Sequence, residues 1–109
     1  MEISTRTSND IHIVAIAGSL DSTTSPEAQK ALDTVLSSAT KVTLDFSRLD
    51  YISSAGLRVL LGAAKRLKAS GGTLSMFGLN QSVREVFEIS GFSAILTVYP
   101  SETEALAGK

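Results

Sequence analysis

Two hydrophobic periods alternate along this chain. Val42, Leu44 and Phe46 are interleaved with Lys41, Thr43 and Asp45, the period of two that a half-buried strand requires. After a short break, Leu57, Leu60, Leu61, Ala64 and Leu67 recur at i, i+3, i+4, i+7 and i+10, which predicts a helix over about 55–69. The same reading extends to both ends. Residues 2–7 predict a short strand, with Ser8-Asn9-Asp10 as the turn out of it. Residues 11–17 are apolar on both alternating faces, as in a central strand, and Gly18-Ser19-Leu20-Asp21 leaves it. Ser25-Pro26-Glu27 reads as a helix start, with an N-cap serine, proline at the first helical position and an early acid. Ala28, Ala31, Leu32, Val35 and Leu36 supply that helix's buried stripe, and Ser37-Ser38-Ala39-Thr40 ends it.

Gly71-Gly72 stops the 55–69 helix, and 73–77 is the next strand. Asn80-Gln81-Ser82 opens a third helix, with Val83, Val86 and Phe87 inward and Gly91 just past its end. Residues 94–99 predict a last strand, and Pro100-Ser101-Glu102 a short terminal helix. The order is β-β-α-β-α-β-α-β-α. Helix-length crossovers between strands require parallel pairing and right-handed connections. The expected fold is a single α/β domain over 1–109, a small, mixed, mainly parallel sheet with helices mostly on one face. Polar Thr43 and Asp45 mark the second face as the less covered.

The helix over 55–69 carries a second stripe. At 100° per residue, Ala55, Val59, Gly62 and Arg66 fall away from the leucines, with Arg58 beside them. A solvated helix face is normally charged. A smooth one beginning beside Ser54 reads as a docking surface for a partner; the plainer alternative is that Val59 is a lone exposed residue.

Composition narrows the function classes. The 109 residues carry a formal net charge of −1, which gives no electrostatic footing for nucleic acid or an anionic membrane. Cysteine is absent, which excludes disulfides, thiolate catalysis and thiolate metal sites. No apolar run approaches the roughly 20 residues of a membrane span, and Met1-Glu2-Ile3-Ser4 lacks the features of a signal peptide, so a cytoplasmic protein is expected.

Candidate chemistry concentrates at Ser53 and Ser54, where a loop turns into the long helix. A hydroxyl there meets unpaired backbone N–H groups and the positive end of the helix dipole. It can cap the helix or carry a phosphate. Elsewhere the residues read as structural. His12, the one histidine, lies mid-strand in an apolar run. Asp21, Asp45 and Asp50 suit turns and strand ends better than a metal. Lys65, Arg66 and Lys68 compensate the dipole in the last turns of their helix.

Four segments in order carry a resemblance: Gly18-Ser19-Leu20-Asp21, Val42-Thr43-Leu44-Asp45-Phe46, Tyr51-Ile52-Ser53-Ser54-Ala55-Gly56-Leu57, and Val83 to Phe92. Together they resemble a STAS domain of the bacterial anti-sigma factor antagonist type, over about residues 10–107. In that group the resemblance implies phosphorylation of one serine at the start of the second long helix, by an anti-sigma factor that is itself an ATP-dependent kinase. The motif Asp-Ser-(Ser/Thr/Ala)-Gly-Leu aligns on Gly56-Leu57. It puts the phosphoacceptor at Ser54 and leaves Ser53 in the aspartate position, where it is an alternative acceptor. Asp21 matches an acidic position near the phosphorylation site. The implied partner surface is Asp21, Ser53, Ser54, Ala55, Gly56, Arg58, Val59 and Gly62. The implied partners are the kinase and a PP2C-type phosphatase, with ATP and Mg²⁺ belonging to the kinase. No cofactor or metal is expected on this chain, and a monomer is the simpler state.

Two rivals stand beside this reading. A serine hydrolase built on Ser54 lacks the Gly-x-Ser-x-Gly pattern and would need His12 as its base. A non-switching STAS adaptor, in a sensor complex or a lipid transporter, would use Ser54 only as a cap.

Overall fold

The structure, a computed structural model, describes residues 1–92 and 96–107. Its elements are β1 (Glu2–Ser8), β2 (Ile11–Leu20), α1 (Ser25–Leu36), β3 (Lys41–Asp45), β4 (Leu49–Ile52), α2 (Ser54–Ala69), β5 (Thr73–Phe77), α3 (Gln81–Ser90), β6 (Thr97–Tyr99) and α4 (Glu102–Ala107). The sheet runs β1-β2-β3-β5-β6, with β4 paired to the far end of β2. Among the described residues only the β1–β2 hairpin is antiparallel; the β2–β3, β2–β4, β3–β5 and β5–β6 pairs are parallel. The expected order holds, with one further strand, β4, between β3 and α2. The expected strand over 94–99 is described from Thr97 to Tyr99, and its residues 94 and 95 lie outside the described residues.

Both local boundaries of β2 have a physical cause. Positive φ at Asn9 and Asp10 folds the tight turn into it. Gly18, at φ 97°, takes a conformation that residues with a Cβ rarely adopt, and the register shifts between Gly18 and Ser19. The strand thereby continues to Leu20 and pairs with β4, where the sequence predicts an exit from the sheet. The start of α1 also differs by one residue. Thr24 occupies the N-cap without a side-chain capping bond, and Ser25 is already helical, its hydroxyl donating back to the Asp21 carbonyl. The start and end of α3 follow expectation. Asn80 Oδ1 accepts from the Val83 N–H at 2.8 Å, and Gly91 ends the helix at φ 78°.

The main core lies between one face of the sheet and α1, α2 and α3. Val14, Ile16, Val42, Leu44, Leu74 and Met76 meet Leu32, Leu57, Leu60, Leu67, Val83 and Phe87 there. In α2 the buried residues are Gly56, Leu57, Val59, Leu60, Ala63 and Leu67, while Leu61 and Ala64 are only half-buried. The inward stripe is therefore rotated from the predicted one toward the 56–59–63 side, and Val59, at 8% exposure, belongs to the core.

The second face is shorter of cover but not bare. Parallel register sets Ile13, Thr43 and Ser75 side by side on it. Thr43 and Ser75 are buried and hydrogen-bond to each other at 3.1 Å, so two polar residues satisfy one another inside the protein. α4 lies over this region, contacting β3, β5 and β6 with Ala105 fully buried. Arg6 of β1 donates to Glu102 of α4 at 2.5 Å and stands 3.9 Å from Asp45. Its bond to Glu102 holds the Arg6 guanidinium above its ordinary pKa. This face is the less covered one, as Thr43 and Asp45 suggested, and α4 is the helix that shields it at this end of the sheet.

Candidate partner-docking and phosphoacceptor site

The site lies where the parallel strands β2 and β4 end. The Ser53 N–H donates to the Leu20 carbonyl at 2.9 Å, which locks the loop after β4 to the loop after β2. Ser53 itself is extended, at φ −100° and ψ 176°, and is the N-cap of α2. Its carbonyl accepts from the Leu57 N–H at 2.9 Å, and its Oγ accepts from the Gly56 N–H at 3.4 Å. Ser54 is the first helical residue and is exposed. Among the described residues, its hydroxyl has no hydrogen-bond partner. The two serines thus divide the roles that the sequence left open: Ser53 caps, and Ser54 presents a free hydroxyl at the helix start.

The Ser53 capping bond is long, so its loss should cost little. Ser53→Ala is expected to lower stability by about 0.5–1 kcal/mol. Ser53→Asp is expected to raise it by about 0.3–1 kcal/mol, because α2 has no acid in its first turn to complement the dipole. Urea unfolding of the three chains checks both signs.

Gly56 is a packing glycine. A Cβ built on it would lie 2.8 Å from both Leu20 Cγ and the Leu20 carbonyl oxygen, and 2.9 Å from Ile52 Cγ1. It lets the first turn of α2 sit against the ends of β2 and β4, which fixes the height at which Ser54 emerges. For the same reason Gly56 is buried and offers a partner nothing. Val59 is removed from the predicted docking surface likewise, by its place in the core.

The outward stripe of α2 is Ser54, Arg58 and Gly62, at i, i+4 and i+8, with half-buried Ala55 and Leu61 beside it. A side chain at Gly62 would meet nothing within 4 Å. Arg58 is exposed and, among the described residues, forms neither an ion pair nor a hydrogen bond. Arg66, in contrast, donates to Asp33 of α1 at 3.0 Å, so it ties two helices together on the rim instead of extending the smooth stripe.

Asp21 stands in the neighbouring loop. Its Oδ1 accepts from the Thr23 and Thr24 N–H groups at 2.9 and 3.1 Å, and its own N–H donates to Thr24 Oγ1. Thr24 Oγ1 in turn donates to the Ser19 carbonyl at 2.8 Å. Asp21 therefore builds the turn that enters α1, beside the Ser53–Leu20 junction. Sequence reasoning missed Tyr51, which is 51% exposed two residues before Ser53. An aromatic side chain two residues before a pair of serines was the available signal. Thr24 carried none beyond its place in a polar run.

A hydrolase built on Ser54 would need His12 beside it, and the fold sets the two apart. His12 pairs with Val42 near the start of β2, eight residues before Leu20, roughly 25 Å along the strand from the Ser54 end. Its buried Nδ1 has no partner among the described residues. Asp21, Asp45 and Asp50 do not converge, and no group of three metal-ligating side chains occurs among the described residues. No helix among them is long and apolar enough to cross a membrane.

Comparison with known proteins agrees with this architecture. The family model described as STAS domain matches residues 2–105. BtrV of Bordetella bronchiseptica is 55% identical over 67 residues, 62% of this chain and 58% of that protein. The anti-sigma-B factor antagonist of Listeria monocytogenes is 32% identical over 105 residues, 95% of this chain and 91% of that protein. Among solved structures, the Bacillus cell fate determinant SpoIIAA in its phosphorylated form superposes with a TM-score of 0.73 at 21% identity, over 97% of both chains.

Proposed function

This chain belongs to the STAS domain family, and on that premise we propose that it is an anti-sigma factor antagonist whose binding is switched at Ser54. The observation that carries the reading is the division of labour at the start of α2. Ser53 holds the cap, so Ser54 is free to be modified without a structural bond being broken. Unphosphorylated, the protein binds an anti-sigma factor with ATP-dependent serine kinase activity through Ser54, Arg58 and Gly62, flanked by Ala55, Tyr51 and the Asp21 turn. That contact relieves the inhibition the partner exerts on its target. Phosphorylation of Ser54 releases the protein, and a PP2C-type phosphatase restores it. ATP and Mg²⁺ act on the kinase. The chain works as a cytoplasmic regulatory protein, monomeric when free, and as a substrate of those enzymes, not as an enzyme itself. The Listeria relative, named an anti-sigma-B factor antagonist, and the neighbour solved in a phosphorylated form support this reading.

The test is intact and peptide mass spectrometry on protein purified from its own host, with Ser54→Ala beside it. One phosphoryl group on Ser54, absent from the mutant, is the expected result. A phosphate on Ser53 keeps the switch and moves its acceptor. No phosphate under any growth condition, or with candidate kinases and ATP, overturns the switch and leaves a constitutive adaptor.

A further inference from the structure

Arg58 is a cation with nothing to hold. It lies four residues after Ser54 on the same face of α2, exposed and without an ion pair or hydrogen bond among the described residues. The other exposed arginine on this helix, Arg66, is held by Asp33. Side chains on a helix lean toward its N-terminus, so a residue at i+4 reaches back over residue i. The i,i+4 spacing therefore puts the Ser54 hydroxyl within reach of the Arg58 side chain. The first turn of α2 contains no acidic residue that could claim it.

We propose that Arg58 is the internal partner of phosphoserine 54: the phosphoryl group, once on, is clamped by the guanidinium one turn below. The inference rests on the phosphorylation of Ser54 proposed above and adds a mechanism to it. A guanidinium offers two parallel N–H donors to phosphate oxygens, and the i,i+4 spacing lets them meet without moving the backbone. Arg58 also lies on the stripe that docks the partner. Its capture by the phosphate takes a donor away from that surface at the moment a negative charge is added to it. One modification thus alters two of the three outward positions of the stripe, Ser54 and Arg58, and leaves only Gly62 as it was.

The experiment does not need the natural kinase. Phosphoserine is installed at position 54 of the full chain by amber suppression, and the phosphate is titrated by phosphorus NMR. A nearby cation favours the dianion, so its second ionisation falls below the ordinary value near 6. The expected result is a midpoint about half a pH unit or more lower in the parent than in Arg58→Ala, corresponding to a roughly threefold effect. Arg58→Lys should recover part of the difference, and about 1 M salt should erase most of it. Arg66→Ala is the control for net charge, being twelve residues and about 18 Å along the helix from Ser54. Equal midpoints in the parent and Arg58→Ala, or an equal shift in Arg66→Ala, overturn the clamp. Arg58 is exposed, so its removal leaves a folded protein for the titration. Because the phosphate is installed synthetically, failure of the clamp is distinct from failure of the switch, which is read from the host protein.

Discussion

Gly56→Ala lowers the stability of the domain by about 2 kcal/mol and its melting temperature by roughly 8–16 °C, even though alanine is the better helix former. Propensity alone would favour the alanine by about 1 kcal/mol. Against this stand three contacts under 3.0 Å, with Leu20 Cγ, the Leu20 carbonyl oxygen and Ile52 Cγ1. The carbonyl cannot turn aside, since it accepts the Ser53 N–H that holds the site together. Relief must come from lifting the first turn of α2, which opens the core around Leu57 and Leu60 and costs up to about 3 kcal/mol. Gly62→Ala, on the outward face where nothing crowds it, should instead gain about 0.5–1 kcal/mol. Thermal and urea unfolding of the two variants should therefore move in opposite directions. A neutral or stabilising Gly56→Ala would mean that the approach of α2 to the strand ends is not set by this glycine.

Phosphorylation of Ser54 weakens binding to the partner kinase by a hundredfold or more and changes the fold very little. A hundredfold is about 2.8 kcal/mol. A charge of about −1.5 to −2 forced into an interface without a partner costs on the order of several kcal/mol, which is enough. Within the domain the balance is different. The Ser54 hydroxyl gives up no bond, the Ser53 cap stays in place, and the helix dipole stabilises the new charge by about 0.3–1 kcal/mol. Titration calorimetry of phosphorylated and unphosphorylated protein against the kinase, together with circular dichroism of each, separates the two effects. Retained affinity, or a large loss of helical signal, would remove the basis for a switch that acts through the surface alone.

The residues made much of this architecture legible, and the exceptions have physical reasons. Strong alternation and the 3.6-residue period located three helices and most of the sheet, because those segments bury one face against a common core. β4 was hidden because only four residues form it, both middle ones, Asp50 and Tyr51, are exposed, and it pairs with a single neighbour beyond a bulge. The inward face of α2 was misplaced for another reason. Gly62, Ala63 and Ala64 give a helical wheel almost no contrast, so the leucines alone decided its centre, whereas contact with α1 and β5 decides it in the folded chain. That rotation put Val59 inside and left Arg58 and Gly62 outside. Ser54 was legible as a position but not as a free hydroxyl, because which of two adjacent serines caps the helix depends on backbone angles that only the folded loop sets.

The ion pair between Arg6 and Glu102 joins residues 96 apart in sequence. Such a contact can form only once the sheet has brought the two ends of the chain together, so it is expected to form late in folding. Whatever it contributes is absent while the nucleus assembles and present only in the finished domain. It acts as a late clasp between the first strand and the last helix. An exposed pair contributes little, so Arg6→Ala is expected to leave the folding limb of a chevron plot unchanged and to raise the unfolding rate only slightly.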